Sequence, residues 1–147
     1  VTAPVLIIGI GNPSRGDDAL GPLCIERLEA MGLREMALLT DFQLQVEFAL
    51  DLAGRREVVF VDASASGPEP YAFCPVGPAA GMSHTSHAIS PGAVLAACEQ
   101  VGVTPPPSAH VLAIRGHAFE LGEGLSPAAA RNLEAALDFL KRRYAGR

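Results

Sequence analysis

The chain has 147 residues, 49% of them hydrophobic, and its 11 basic and 16 acidic side chains give a formal net charge of −5. This length suits one domain with a substantial core, and residues 1–147 are read as a single α/β domain. The acidic balance argues against a nucleic-acid or anionic-membrane partner, and no apolar run approaches the ~20 residues that a bilayer span needs.

The first predicted strand is Val5-Leu6-Ile7-Ile8, which runs into the glycine turn Gly9-Ile10-Gly11-Asn12. A helical pattern with Leu23, Ile25, Leu28 and Met31 leaves that turn. Strand, glycine turn and helix suggest a dinucleotide fingerprint, but Ser14 stands where its third glycine belongs. Asp17 and Asp18 also lie near the helix start, where a pyrophosphate would meet two like charges, so no nucleotide is expected. One of the two reads most simply as a helix cap; a second beside it suits a cation or proton transfer better.

Met36-Ala37-Leu38-Leu39 is predicted to be a second buried strand, ending at Asp41-Phe42-Gln43-Leu44-Gln45. From Val46, the spacing of Phe48, Ala49, Leu52 and Ala53 predicts a helix closed by Gly54. Val58-Val59-Phe60-Val61 is the strongest strand signal, and Asp62-Ala63-Ser64 follows it. The order β-α-β-α-β implies right-handed crossovers and a largely parallel sheet, so Asp18, Asp41 and Asp62 should emerge on one edge. Tyr71-Ala72-Phe73-Cys74-Pro75-Val76 reads as an edge strand, with proline pointing to an antiparallel one.

Residues 77–87 form the longest stretch without periodicity, and they hold His84 and His87. Ser90-Pro91 and Ser126-Pro127 are both helix-start signals, the first opening a helix through Val94, Leu95 and Cys98, the second a helix over 128–144. Val111-Leu112-Ala113-Ile114 is the last predicted strand. The architecture expected is a three-layer α/β/α fold with a mostly parallel sheet of about five strands and four main helices. Cys24, Cys74 and Cys98 make no C-x-x-C pair, and Cys24 and Cys98 fall on helical core positions. With no secretory or transit segment read ahead of the first strand, the cytoplasm is the expected compartment, and a monomer is the expected state.

The groups that can converge are Asp17 or Asp18, Asp62, and His84 or His87. Two carboxylates and an imidazole suit a borderline divalent metal such as nickel, zinc or iron. No closed zinc motif and no G-x-S-x-G elbow occurs, which argues against a structural zinc and against serine hydrolysis. A solvated loop histidine is the simpler reading of His84 and His87, and His110 and His117 are weaker candidates still.

Four segments together resemble the hydrogenase maturation proteases. They are G-I-G-N-x-x-x-x-D-D-x-x-G over 9–21, V-D-A at 61–63, S-H-A-I-S-P-G-A-V-L over 86–95 and F-E-L-G-E-G-L-S-P over 119–127. The likeness spans nearly the whole chain. It implies a cytoplasmic endopeptidase that removes a C-terminal extension from the large-subunit precursor of a nickel–iron hydrogenase after nickel delivery, the nickel arriving with the precursor. The metal-binding positions it implies are Asp18, Asp62 and His87, with Asp18 and Asp62 also the candidate catalytic carboxylates. His87 is chosen by counting seven residues back from Val94; alignment on Ile-Ser-Pro would place Gly92 there instead. Gly11, Asn12, Asp41 and Gln43 are the implied substrate contacts. Where many members carry D-G-G-x-x-G after the second strand, this chain has Asp41-Phe42-Gln43-Leu44-Gln45, so the identity of the hydrogenase does not transfer. The rival reading is a non-enzymatic nickel- or nucleotide-binding module on the same fold.

Overall fold

A computed structural model describes residues 2–79 and 89–145, and every structural statement below concerns those residues. Five strands, β1 (Val5–Ile10), β2 (Met36–Asp41), β3 (Glu57–Ser64), β4 (Tyr71–Pro75) and β5 (Ser108–Arg115), form one sheet in the order β2-β1-β3-β5-β4. All neighbours are parallel except β4, which pairs antiparallel with β5 at the edge, as its proline predicted. The helices are α1 (Leu20–Met31), α2 (Phe48–Asp51), α3 (Pro91–Gln100) and α4 (Pro127–Tyr144). A 3-10 turn, Gly16–Ala19, precedes α1.

Every residue of β1 is buried because both faces of the sheet are covered, the situation in which a parallel strand reads as a continuous apolar run. Val5 and Ile7 join α1 and α4 in one core through Leu28, Leu133 and Leu137. Leu6, Ile8 and Ile10 turn the other way, onto Ala49, Leu52, Val94 and Leu95 of the α2 and α3 side. α3 and α4 begin as expected, with Ser90 and Ser126 accepting from the amides of Ala93 and Ala129 at 3.1 and 3.2 Å.

Two expectations need correction. β2 is an edge strand with half-buried side chains, since only β1 pairs with it. The helix predicted from Val46 is a single turn, Phe48–Asp51, with Leu52 and Ala53 in the turns that follow. Burial of Ala49 and Leu52 satisfies the same apolar spacing that a longer helix would.

β1 connects through α1 to one side of the sheet, and β2 returns through α2 to β3 on the other. The strands therefore part direction between β1 and β3, whose register ends at Gly9↔Val61. Crevices in open α/β sheets form at such a switch point, beyond the carboxyl ends of the strands.

Candidate functional site

The cleft lies at that point, on the face carrying α3. Phe60 and Asp62 share a face of β3 by strand alternation, so the carboxylate rises from a strand whose preceding residues are core. Ile10, Phe60 and Val111 line the base, Leu44, Ile89 and Pro91 the flanks, and Asp18 and Asp62 contribute the charge. Gly11, Phe42 and Gln43 complete the lining of a volume of ≈ 400 Å³.

Asp18 reaches the cleft from the 3-10 turn, and its Oδ2 accepts the Asn12 amide at 2.7 Å. Asp62 Oδ1 accepts the Ala63 amide at 2.8 Å. Among the described residues neither carboxylate has an ion-pair partner. Desolvation by the apolar walls pushes the Asp62 carboxyl up to about 6, and the negative charge of Asp18 pushes the same way against the opposing Ala63 bond. Asp62 meets solvent at the cleft mouth, which tempers the effect without changing its direction. Two carboxylates without a cation, set in an apolar crevice, suit a divalent ion or a proton-transfer step.

The paired aspartates of the first turn divide their roles. Asp17 is fully buried and faces away from the cleft, accepting from His117 N, Ala118 N, Ser126 N and Ser126 Oγ at 2.7 to 2.9 Å. Burial alone would raise its carboxyl, but these four bonds outweigh it and hold Asp17 below the ordinary range. Sequence reasoning missed Ser126 as its partner, having read that residue only as a helix start.

The glycines of the turn serve packing. A Cβ on Gly9 would strike the Gly21 carbonyl, and one on Gly21 would strike Ile10. α1 is therefore pressed against β1, main chain to main chain.

The remaining predicted residues fall in different places. Asn12 Oδ1 accepts the Ser14 amide at 2.9 Å, so its side chain holds the turn. Asp41 accepts the Phe42 amide and faces a neighbouring hollow of ≈ 330 Å³, lined also by Gly11, Pro13, Pro22, Thr40 and Phe42. His117 lies outside the cleft and meets Glu69 Oε1 at 2.6 Å, beside α4. His110 is stacked on Phe73 with centroids 4.3 Å apart and is no ligand candidate. His84 and His87 lie outside the described residues. Among those described, no group of three or more His, Cys, Asp or Glu could hold a metal ion. No described helix is long and apolar enough to cross a membrane.

No protein-family profile and no curated protein sequence matches the chain. Solved structures do. The [NiFe] hydrogenase maturation protease HycI from Thermococcus kodakarensis KOD1 superposes with a TM-score of 0.73 at 25% identity, over 95% of this chain and 91% of that one. The hydrogenase maturating endopeptidase HybD from E. coli gives 0.71 at 21% identity, over 96% and 93%. A hydrogenase 2 maturation peptidase from a Thaumarchaeota archaeon shares the fold at 0.67 and 19% identity, over 96% and 97%.

Proposed function

We propose that the chain, similar in fold over nearly its whole length to hydrogenase maturation proteases, is itself one, and that it removes the C-terminal extension of a nickel–iron hydrogenase large-subunit precursor once nickel has been inserted. The observation that carries this reading is the convergence of Asp18 and Asp62, without a cation partner among the described residues, in an apolar cleft at the switch point of the sheet. The nickel is cargo of the precursor. Asp18 and Asp62, with His87, ligate it and so distinguish a loaded precursor from an empty one.

Docking a cation between the carboxylates relieves their mutual repulsion and draws off any proton on Asp62. Asn12 N–H fixes the approach of Asp18, and Ala63 N–H that of Asp62. The scissile segment lies across Phe42 and Gln43, which line the cleft beside Gly11. A carboxylate oxygen takes a proton from water as the water oxygen bonds to the scissile carbonyl carbon. Collapse then breaks the carbon–nitrogen bond, and the proton passes to the leaving amine. Asp62, whose carboxyl lies at about 6 before a cation docks, is the group assigned to that transfer near neutral pH. The protein acts in the cytoplasm as a monomer.

The test is mass spectrometry of nickel-loaded precursor before and after incubation. Loss of one defined C-terminal peptide is expected, and Asp18→Asn and Asp62→Asn should each lower cleavage by at least a hundredfold while the circular dichroism spectrum stays unchanged. Intact precursor with the unaltered protein, or full cleavage by both variants, refutes the reading.

A further inference from the structure

Asp18 sits on a four-residue 3-10 turn that is too short to fix its own direction. Its neighbour Asp17 does not touch the cleft, yet it makes the densest set of bonds in the turn. Its Oδ2 accepts His117 N at 2.7 Å, Ala118 N at 2.9 Å and Ser126 Oγ at 2.7 Å, and its Oδ1 accepts Ser126 N at 2.7 Å. All four donors come from the irregular connection between β5 and α4, or from the residue that caps α4. The buried charge thus rests at the positive end of an 18-residue helix.

Main-chain bonds reinforce the clasp. Asp17 N donates to Ala118 O at 2.7 Å, Gly16 N to Glu123 O at 3.1 Å and Gly122 N to Ser14 O at 2.8 Å. Gly116 permits the approach, since a Cβ there would lie 2.8 Å from Asp17 Cβ. On the opposite side, Gly11 lets the main chain of Asp18 settle against it, and Asn12 N–H holds the Asp18 carboxylate. The turn is gripped from behind through Asp17 and from the front through Asn12.

We propose that Asp17 is the positioning residue of the cleft: bonded to residues 116–126 and the α4 cap, it aims the adjacent Asp18 carboxylate at the Asp62 side. The inference rests on the protease reading for its effect on turnover but not for its geometry. Ser126→Ala removes one bond to Asp17 and weakens the α4 cap. Ser90→Ala removes the equivalent cap from α3 and touches nothing of Asp17, which makes it the stability control. The direct readout is hydrogen exchange of the Asn12 amide at fixed pH, because that proton reports the Asn12–Asp18 bond.

Ser126→Ala should lower Asn12 protection at least tenfold beyond Ser90→Ala, with Ile8 and Phe60 amides affected equally in both. Cleavage should lose kcat with KM retained, and Ser126→Thr should restore both readouts. Gly116→Ala, which crowds Asp17 with charge and cap intact, should act in the same direction and serves if Ser126→Ala does not fold. Asn12 protection that falls no further in Ser126→Ala or Gly116→Ala than in Ser90→Ala overturns the proposal. If the unaltered protein leaves precursor whole, the protease reading fails while the exchange measurement still decides this one.

Discussion

Asp17, Asp18 and Asp62 show how environment assigns three different tasks to one side chain. Asp17 is held ionised by bonds from four donors, Asp18 is aimed by one, and Asp62 is pushed towards neutrality by the walls around it and by Asp18. A carboxyl raised in the folded state contributes stability that is whole below its unfolded value and lost as pH climbs through its folded value. For Asp62 that window runs from 3.8 to about 6. Asp62→Asn, which keeps an oxygen to accept Ala63 N–H, should therefore melt higher than the unaltered protein at pH 7.5, and the two should converge near pH 4. Screening at the open cleft mouth limits the gain to the order of 1 kcal/mol, or about 2–4 °C in Tm. Calorimetry at both pH values checks it; a lower Tm for the variant at pH 7.5 contradicts the assignment. The kcat/KM for cleavage by the unaltered protein should run the other way and rise with pH through about 6, the value of Asp62 in the free protein. Asp17 contributes in the opposite sense, with stability present above 3.8 and lost as the pH falls below it.

α4 is fastened at both ends by charged groups that sequence spacing does not connect. At its last turn Arg143 Nη2 donates to Glu57 Oε2 at 2.7 Å, and Glu57 is 6% exposed at the start of β3. The Arg143 guanidinium also lies over Phe73, 4.9 Å from the ring centroid. Arg143→Met leaves a buried carboxylate without its cation and should cost about 3 kcal/mol in chemical denaturation. Glu57→Gln in that background should recover most of the loss, and a double variant no more stable than Arg143→Met would show that the pair is not coupled. Sequence periodicity found α4 and its cap because an 18-residue helix repeats its apolar face many times. It overextended α2, whose single turn buries the same few positions, and it left the 3-10 turn unseen. Asp17 and Ser126 were each visible, but they stand 109 positions apart and nothing local joins them.

On the scale of the molecule, two cores share one sheet, and the cleft opens where β1 and β3 part. The largely parallel pairing and the antiparallel edge were legible in the sequence, because runs buried on both faces stay apolar throughout and proline marks an edge; the strand order was not, and β2 proved to be an edge. The shape of the cleft was not: Ile89, Pro91 and Val111 line it through tertiary packing alone. Amides of β1 and β3, paired on both sides, should exchange slowest and at the global unfolding free energy, whereas residues 48–51 of α2 should open locally at a small fraction of it. Native-state exchange with increasing denaturant measures both, and protection of α2 equal to that of β3 would show that the face carrying the cleft opens only with the whole.

The contact between Gly9 and Gly21 sets how near the leading helix lies to the central strand. With bare peptide planes touching there, the opening bend of the chain becomes an anvil, stiff and shallow, that supports whatever is laid above it. A methyl group added at either position would wedge the leading helix off the central ribbon and tilt whatever is laid above it.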